Sequence, residues 1–173
     1  MKLDRFQEEV DGEASWDFGK LYVQHATVSD ARPITERLRT ADRNELSATS
    51  GEPPLRVLVD GIQQSTPCFT VKITATGEPC GIFGTRDSGH PESGVVWLLG
   101  TDDLVANRLT FLRHSRMWLN ELHKKYRLLW NVIDARNELH LTWLDWLGFD
   151  FVEEIEKYGV ERRPFILFRR YHV

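Results

Sequence analysis

The sequence predicts a single α/β domain with a mixed, centrally splayed sheet flanked by helices, and three observations indicate this class. Two alternating stretches around Gly77, CFTVKITA and CGIFGTRD, are typical of a β-hairpin. A long amphipathic helix over 104–126 separates two short apolar runs, which predicts parallel pairing of two strands through a right-handed crossover. Such a sheet splays where its parallel half meets its antiparallel half, and that is a usual place for a ligand cleft.

The first half of the chain predicts a strand followed by short helices. Residues 1–18 are acidic and nearly featureless, so we expect an N-terminal arm outside a domain of residues 19–173. KLYVQHATV predicts the first strand. SDARPITERLR predicts a helix capped by Ser29 or Asp30, and TADRNELSATSG a second short helix closed by Gly51. A third helix is predicted to begin after EPPLRVLVDGI.

The second half predicts strands and helices in alternation. GVVWLLGTD and YRLLWNVID are apolar runs short enough to be buried strands, and they enclose the long helix. ARNELHLTWLDWLGF predicts the next helix. FDFVEEIEKYGV and RRPFILFRRYHV predict a closing antiparallel pair.

Composition and charge argue against several classes of function. The net charge of −4 gives no reason to expect a strong grip on nucleic acid or on an anionic membrane. No apolar run approaches the roughly 20 residues that span a bilayer, and the N-terminus does not resemble a signal peptide. Without an export signal, Cys68 and Cys80 are expected to be reduced thiols. The six histidines show no metal-ligand spacing, so we expect no metal site.

The long helix carries a row of basic residues, and such a row could bind the phosphates of a nucleic acid. We interpret this row as the solvated side of an amphipathic helix, because no aromatic residues interleave with it. We therefore do not expect nucleic acid as a specific ligand. The row comprises Arg108, Arg113, Arg116, Lys124 and Lys125.

One segment carries a family resemblance. Asn137 stands eleven positions before Gly148, and Gly148–Phe149 follows a helix pattern. Together with the element order from about Leu21 to Arg170, this resembles the GNAT (GCN5-related N-acetyltransferase) family. Within it, the motifs WLLGTD, WNVIDARN and WLGF resemble a branch of tailed phages and prophages, the internal virion or assembly proteins of short-tailed phages. That likeness implies a location in the virion or the host cytoplasm and other virion proteins as partners.

The resemblance implies acetyl-CoA as a donor and a set of residues around it. The pantetheine arm would lie along VVWLL, and the diphosphate would bind backbone N–H groups where the long helix opens. Here Asp102 and Asp103 occupy that loop, and two carboxylates repel a diphosphate by about a kcal/mol or more each. We expect instead that Thr101 caps the helix. If acyl-CoA binds, the residues around it are Leu98, Leu99, Gly100, Thr101, Asn107, Arg108 and Asn137.

The resemblance also implies a tyrosine, midway along the later helix, as general acid. The alignment on Asn137 places Leu144 there, and leucine cannot transfer a proton. His140 is one turn earlier and is a candidate for acid–base work near neutral pH. Glu92, with His90, is a second candidate that could activate an amine through water. Surface placement of His140 and a plain turn around Glu92 are the alternatives.

These features favour a non-catalytic GNAT-fold phage protein that acts in virion assembly or genome ejection. The alternative is an acyl-CoA-dependent N-acetyltransferase that acts on a protein or small amine by direct attack on the thioester. The helix over 137–149 is apolar on more than one side, since Leu139, Trp143 and Trp146 share one face while Leu141 and Leu144 point elsewhere. We therefore expect self-association through this helix.

Overall fold

A nine-stranded mixed sheet organises the chain in the computed structural model, which describes residues 7–10 and 13–172. The strand order is β1-β2-β3-β4-β5-β6-β7-β9-β8, and β6 with β7 is the parallel pair among otherwise antiparallel neighbours. This confirms the predicted fold class. The strands are β1 (Gln7–Val10), β2 (Glu13–Asp17), β3 (Leu21–His25), β4 (Ser65–Ile73), β5 (Pro79–Asp87), β6 (Ser93–Gly100), β7 (Leu128–Asp134), β8 (Asp150–Tyr158) and β9 (Arg163–Tyr171).

The helices follow the predicted order with two corrections. The third helix is the segment Pro54–Gln64 itself and does not begin after it, because Pro54 occupies the first turn, where proline is well tolerated. The predicted helix 104–126 is interrupted at Asn107, whose backbone leaves the helical region. The helices are α1 (Ala31–Glu36), α2 (Thr40–Thr49), α3 (Pro54–Gln64), α4 (Asp102–Ala106), α5 (Arg108–His123) and α6 (Glu138–Trp146).

Helices cover both faces of the sheet. Neighbouring residues of a strand point to opposite faces, so each strand contributes side chains to both layers. Ile82 belongs to the apolar cluster formed with α1 and α3, where Ile34 and Leu58 are buried. Phe83, the next residue, belongs to the cluster formed with α5 and α6, where Trp118 and Trp143 are buried. Among the described residues, no helix is long and apolar enough to cross a bilayer.

Part of the predicted N-terminal arm joins the sheet. β1 pairs with β2, and β2 pairs with β3. The indole of Trp16 meets that of Trp118 edge to face with ring centroids 5.0 Å apart. Two aromatic side chains, Trp16 and Phe18, thus pack against the core, so residues 13–18 are not outside it. Residues 1–6 and 11–12 of the predicted arm lie outside the described residues, and for them the arm stays a prediction.

The sheet opens between β6 and β7. These strands pair over three positions, Ser93 with Leu128, Gly94 with Leu129 and Val95 with Trp130, and then diverge. β7 keeps its pairing with β9 through Asp134, so the opening is on one side of β7. The diverging halves, Val96–Gly100 and Asn131–Asp134, frame a gap in the middle of the sheet. This is the predicted splay.

Candidate functional site

A cavity of about 470 Å³ fills the gap between β6 and β7. Both faces of the sheet contribute to its lining. Glu45, Gly61 and Gln64 line it from the side of α2 and α3, while Trp118 and Trp143 line it from the side of α5 and α6. The cavity therefore runs through the sheet, with a polar end near α2 and an apolar end between α5 and α6.

The backbone of β6 presents hydrogen-bonding groups to this gap. The Thr101 N–H, just after β6, donates to the Cys80 carbonyl of β5 at 2.9 Å. Because the direction of the backbone groups alternates along a strand, the N–H and C=O groups of the odd-numbered residues of β6 point to β5. The N–H and C=O groups of the even-numbered residues point to the gap. The Val96 carbonyl accepts from Asn131 Nδ2 at 2.8 Å, and the Gly100 N–H donates to Asp42 Oδ2 at 2.9 Å. Leu98, between them, turns its N–H and C=O to the gap where no neighbouring strand pairs with it.

Two carboxylates of α2 join the separated strand ends. Asp42 holds the end of β6 through the Gly100 N–H, and Glu45 Oε2 accepts from the Asp134 N–H at the end of β7 at 3.1 Å. The Arg39 N–H also donates to the Gly100 carbonyl at 3.0 Å. Because charge-assisted bonds to backbone N–H groups are stronger than neutral ones, α2 fixes the width of the splay at its open end.

Asn137 connects α2 to α6 across the gap. It is buried, and its Oδ1 accepts from Arg39 Nη2 at 2.9 Å. Its Nδ2 lies 3.3 Å from Asp42 Oδ1, Glu45 Oε2 and His140 Nδ1 alike. We call Arg39, Asp42, Glu45, Asn137 and His140 the polar bridge.

Glu45 is a member of the polar bridge whose charge changes near neutral pH. Burial raises the pKa of its carboxyl to about 7, and the nearby charge of Asp42 adds to the rise, while the Asp134 N–H opposes it. Both hydrogen bonds from the described residues go to Oε2. Oε1 is therefore the oxygen left for a molecule in the cavity.

His140 is neutral near pH 7. Burial lowers the pKa of its imidazole to about 4, against the opposing effect of Asp42. Its ring stacks obliquely on Trp143, with centroids 5.1 Å apart. Among the described residues, none gives Nε2 a hydrogen-bond partner. The side chain lines the cavity, but as an uncharged ring it cannot deliver a proton as an imidazolium.

Comparison with known proteins shows which fold this architecture has. No protein-family model matches the sequence, and no curated protein does. Solved structures do match. The ribosomal-protein-S5-alanine acetyltransferase from Vibrio fischeri superposes with a TM-score of 0.65 at 17% identity, covering 91% of this chain and 96% of that one. Ard1 from Thermoplasma volcanium gives 0.69 at 9% identity, covering 90% and 99%. The chain has the GNAT fold.

A third structure with the GNAT fold is a phosphinothricin acetyltransferase from Sinorhizobium meliloti in complex with AcCoA. It superposes with a TM-score of 0.65 at 15% identity, covering 88% of this chain and 89% of that one. These identities are low, so they establish the shared fold and leave the chemistry to the residues of this chain.

The predicted donor-binding residues of this GNAT fold fall into three groups. Leu98 and Leu99 line the cavity. Gly100 and Asn137 border it, but their N–H and amide groups are bonded within the polar bridge. The others, Thr101, Asn107 and Arg108, do not line the cavity.

The loop after β6 has no preformed site for a diphosphate. Thr101 does precede α4, as predicted, but its hydroxyl donates to the Cys80 carbonyl at 3.3 Å and does not cap the helix. Asp102 and Asp103 stand in the first turn, and Asp103 pairs with Arg37 at 2.8 Å. α4 is only five residues long. Arg108 bonds the Val105 carbonyl and is exposed.

The structure separates the two catalytic candidates. Glu92 lies in the turn before β6, exposed and with a positive φ of 57°, where its carbonyl accepts from the Leu128 N–H. It does not line the cavity, whereas His140 does. Leu144, at the position where a tyrosine was expected, lines the apolar end of the cavity.

Arg39, Asp42 and Glu45 were not predicted as site residues, because SDARPITERLR and TADRNELSATSG indicated only two short helices. The available signal was spacing. Three charged residues at steps of three lie along one side of a helix. Two of them, Arg39 and Asp42, are buried, which for charged residues requires partners.

Proposed function

We propose that this chain is an N-acyltransferase that holds an acyl-CoA donor substrate in the β6–β7 splay and transfers the acyl group to an amine. One observation carries the proposal. The cavity lies where the unpaired edge of β6 offers the Leu98 N–H and C=O, with the Glu45 carboxyl beside it. A cleft that combines a largely apolar wall, a few polar groups and a titratable residue with a shifted pKa is typical of an active site.

The acyl-pantetheine end of the donor fits this splay. Its amides can pair with the edge of β6 at Leu98 as an added strand would. Phe111, Trp143 and Leu144 give the thioester a wall with little water, which strengthens polar contacts there. The donor supplies an activated carbonyl carbon with a thiolate leaving group. We expect direct attack by the amine, because the cavity lining offers no cysteine and no serine paired with a base as a nucleophile.

The diphosphate end fits less well, because the α4 loop carries Asp102 and Asp103 in place of a nest of N–H groups. At an effective dielectric near 20, each carboxylate opposes a diphosphate a few ångströms away by about 1 kcal/mol or more. Acyl-CoA should therefore bind weakly, and its affinity should depend on salt.

Turnover tests the proposal. Wild-type protein is incubated with about 1 mM acetyl-CoA and a panel of amines, and free thiol and amide product are measured by mass spectrometry. We expect product, together with a rise in Tm on adding acetyl-CoA, because a ligand that binds the native state stabilises it. Neither stabilisation nor product with any amine would overturn the proposal.

Neutralising the acidic loop should tighten donor binding. For the double variant Asp102→Asn, Asp103→Asn we expect the Kd for CoA to fall roughly 30-fold, as about 2 kcal/mol of repulsion is removed. Isothermal titration calorimetry at low salt measures this. The matched control removes two exposed charges of β8, with Glu153→Gln and Glu156→Gln. Equal Kd values for the two double variants would show that the diphosphate binds elsewhere.

A second candidate is a non-catalytic GNAT-fold component of a phage virion, active in assembly or genome ejection. Asp42 favours the non-catalytic part of this reading, because this carboxylate accepts from the Gly100 N–H at the end of the strand edge that a donor would use. Leu144 in place of an acid favours it as well. Its partners would be other virion proteins or a second copy bound through residues 137–149, where Trp146 is 44% exposed. Mass spectrometry of purified virions should then find the protein in fixed copy number.

A further inference from the structure

We infer that Glu45 binds the acceptor as a cationic amine and takes up the proton that this amine loses. The inference rests on the proposed function, and it assigns a residue and a substrate class to the polar end of the cavity. Glu45 belongs to α2, which packs on one face of the sheet. The tyrosine that the family resemblance implies was expected in α6, which packs on the opposite face.

The position of Glu45 carries the argument. Its Oε2 is anchored by two donors, the Asp134 N–H at 3.1 Å and Asn137 Nδ2 at 3.3 Å. These fix the carboxyl plane at the rim of the splay, while the residue lines the cavity. Oε1 receives no hydrogen bond from the described residues, so a donor inside the cavity can reach it. A carboxylate held by one oxygen and open at the other is arranged to accept a proton.

The neighbouring groups are less suitable for this role. Asp42 is bonded on both oxygens, to Arg39 and Asn137 through Oδ1 and to Gly100 through Oδ2. Asp134 is held by the guanidinium of Arg136 at 2.6 Å. Neither carboxylate lines the cavity.

The charges around the polar end favour a cation. Besides Glu45, the carboxylates of Glu52 and Asp60 line this end, and Arg86 is the one guanidinium in the lining. The groups that act on Glu45 are Asp42 from α2, Asp134 and Arg136 from the end of β7, and Asn137 before α6. Arg39 and His140 are linked to Glu45 through Asn137. Three of the nearby guanidinium groups have a carboxylate partner, in the pairs Arg39–Asp42, Arg136–Asp134 and Arg56–Asp60. This leaves the carboxylates of Glu45 and Glu52 against Arg86, so an incoming ammonium meets a net negative site once Glu45 is ionised.

The chemistry balances with these groups. An ammonium passes one proton to Glu45, and the free amine attacks the thioester carbonyl carbon. The C–N bond forms, the C–S bond breaks, and the nitrogen loses its second proton as the thiolate leaves and is protonated to the thiol. Burial raises the pKa of Glu45 to about 7, which makes it a stronger base than an exposed carboxylate.

Substitution at Glu45 tests the inference. For Glu45→Gln we expect kcat/KM for the amine to fall at least about 100-fold, with the Kd for acyl-CoA unchanged. The wild-type rate should rise with pH through a limb near 7 that the variant lacks, and Glu45→Asp should recover part of the rate. Glu36→Gln, an exposed position on α1, is the matched control and should keep the wild-type rate.

The outcomes separate the inference from the proposed function. Wild-type turnover with an unchanged rate and pH limb in Glu45→Gln would overturn the role of Glu45 and leave acyl transfer standing. Absence of turnover in the wild type would overturn both. Faster turnover of anionic acceptors than of polyamines or lysine side chains would overturn the assigned substrate class. Circular dichroism and urea unfolding of Glu45→Gln check that the variant is folded.

Discussion

At pH 8, the Glu45→Gln variant is expected to be more stable to urea than the wild type by about 3 kcal/mol, and at pH 4 the two are expected to match. The folded-state pKa of Glu45 is raised to about 7 from an ordinary value of 4.5. A group with a raised pKa gives its full stability below the unfolded pKa and loses it as the pH rises through the folded pKa. The loss therefore falls between about pH 4.5 and 7. Glutamine keeps an oxygen for the Asp134 N–H and has no proton to lose.

His140 acts with the opposite sign in an overlapping window. Its folded-state pKa is lowered to about 4 from 6.5, so the unfolded chain binds more protons between these values and stability rises with pH there. In the wild type the two slopes oppose each other between pH 4.5 and 6.5, and the free energy of unfolding should change little. Glu45→Gln removes the falling slope, so the rising slope of His140 should become visible.

Urea titrations at half-unit intervals from pH 4 to 8 measure these slopes. His140→Gln is the complementary variant and should show the falling slope of Glu45 without the rise that His140 contributes. The two effects need not add, because Asn137 touches both side chains. Parallel curves for the wild type and Glu45→Gln across the whole range would show that Glu45 ionises with its ordinary pKa.

The sequence predicted the strands and the splay because those features depend on local pattern. Alternation around Gly77 and apolar runs on either side of the long helix are visible within windows of about ten residues. The parallel pair then follows from chain topology. The interruption at Asn107 was missed since apolar spacing continues across it, while the backbone breaks where Asn107 Nδ2 bonds the Asp103 carbonyl.

The polar bridge could not be predicted from local sequence patterns. Arg39 meets Asn137 across 98 positions of sequence, and Asp42 meets Gly100 across 58. No local window contains both partners, and in a helical pattern Arg39, Asp42 and Glu45 look like a solvated side. The N-terminal strands illustrate a related limit. Acidic composition predicted an arm, whereas Trp16 and Phe18 decide the packing through contacts with α5.

The turn between β8 and β9 gives the other large expected effect, through Gly159. This glycine has φ +68° and lies against the C-terminal end of α2, where the Val160 and Glu161 N–H groups donate to the carbonyls of Thr49 and Ala48. A Cβ at Gly159 would overlap the Ala48 carbonyl oxygen and lie 2.8 Å from Thr49 Cα. Both neighbours are backbone of a helix, so no side-chain rotation relieves the contact.

For Gly159→Ala we therefore expect a loss of at least about 3 kcal/mol in the free energy of unfolding, as overpacking adds to the cost of a left-handed backbone. Gly19→Ala is the matched control, because Gly19 has φ +84° and nothing within 4 Å of its Cβ position. It should lose about 1 kcal/mol from backbone strain alone. Equal losses in urea unfolding would mean that the turn moves away from α2 without cost. If the turn is instead a fixed support, displacing it also shifts the helix that carries Asp42 and Glu45, and faster amide hydrogen exchange at Gly100 and Asp134 should accompany the loss of stability.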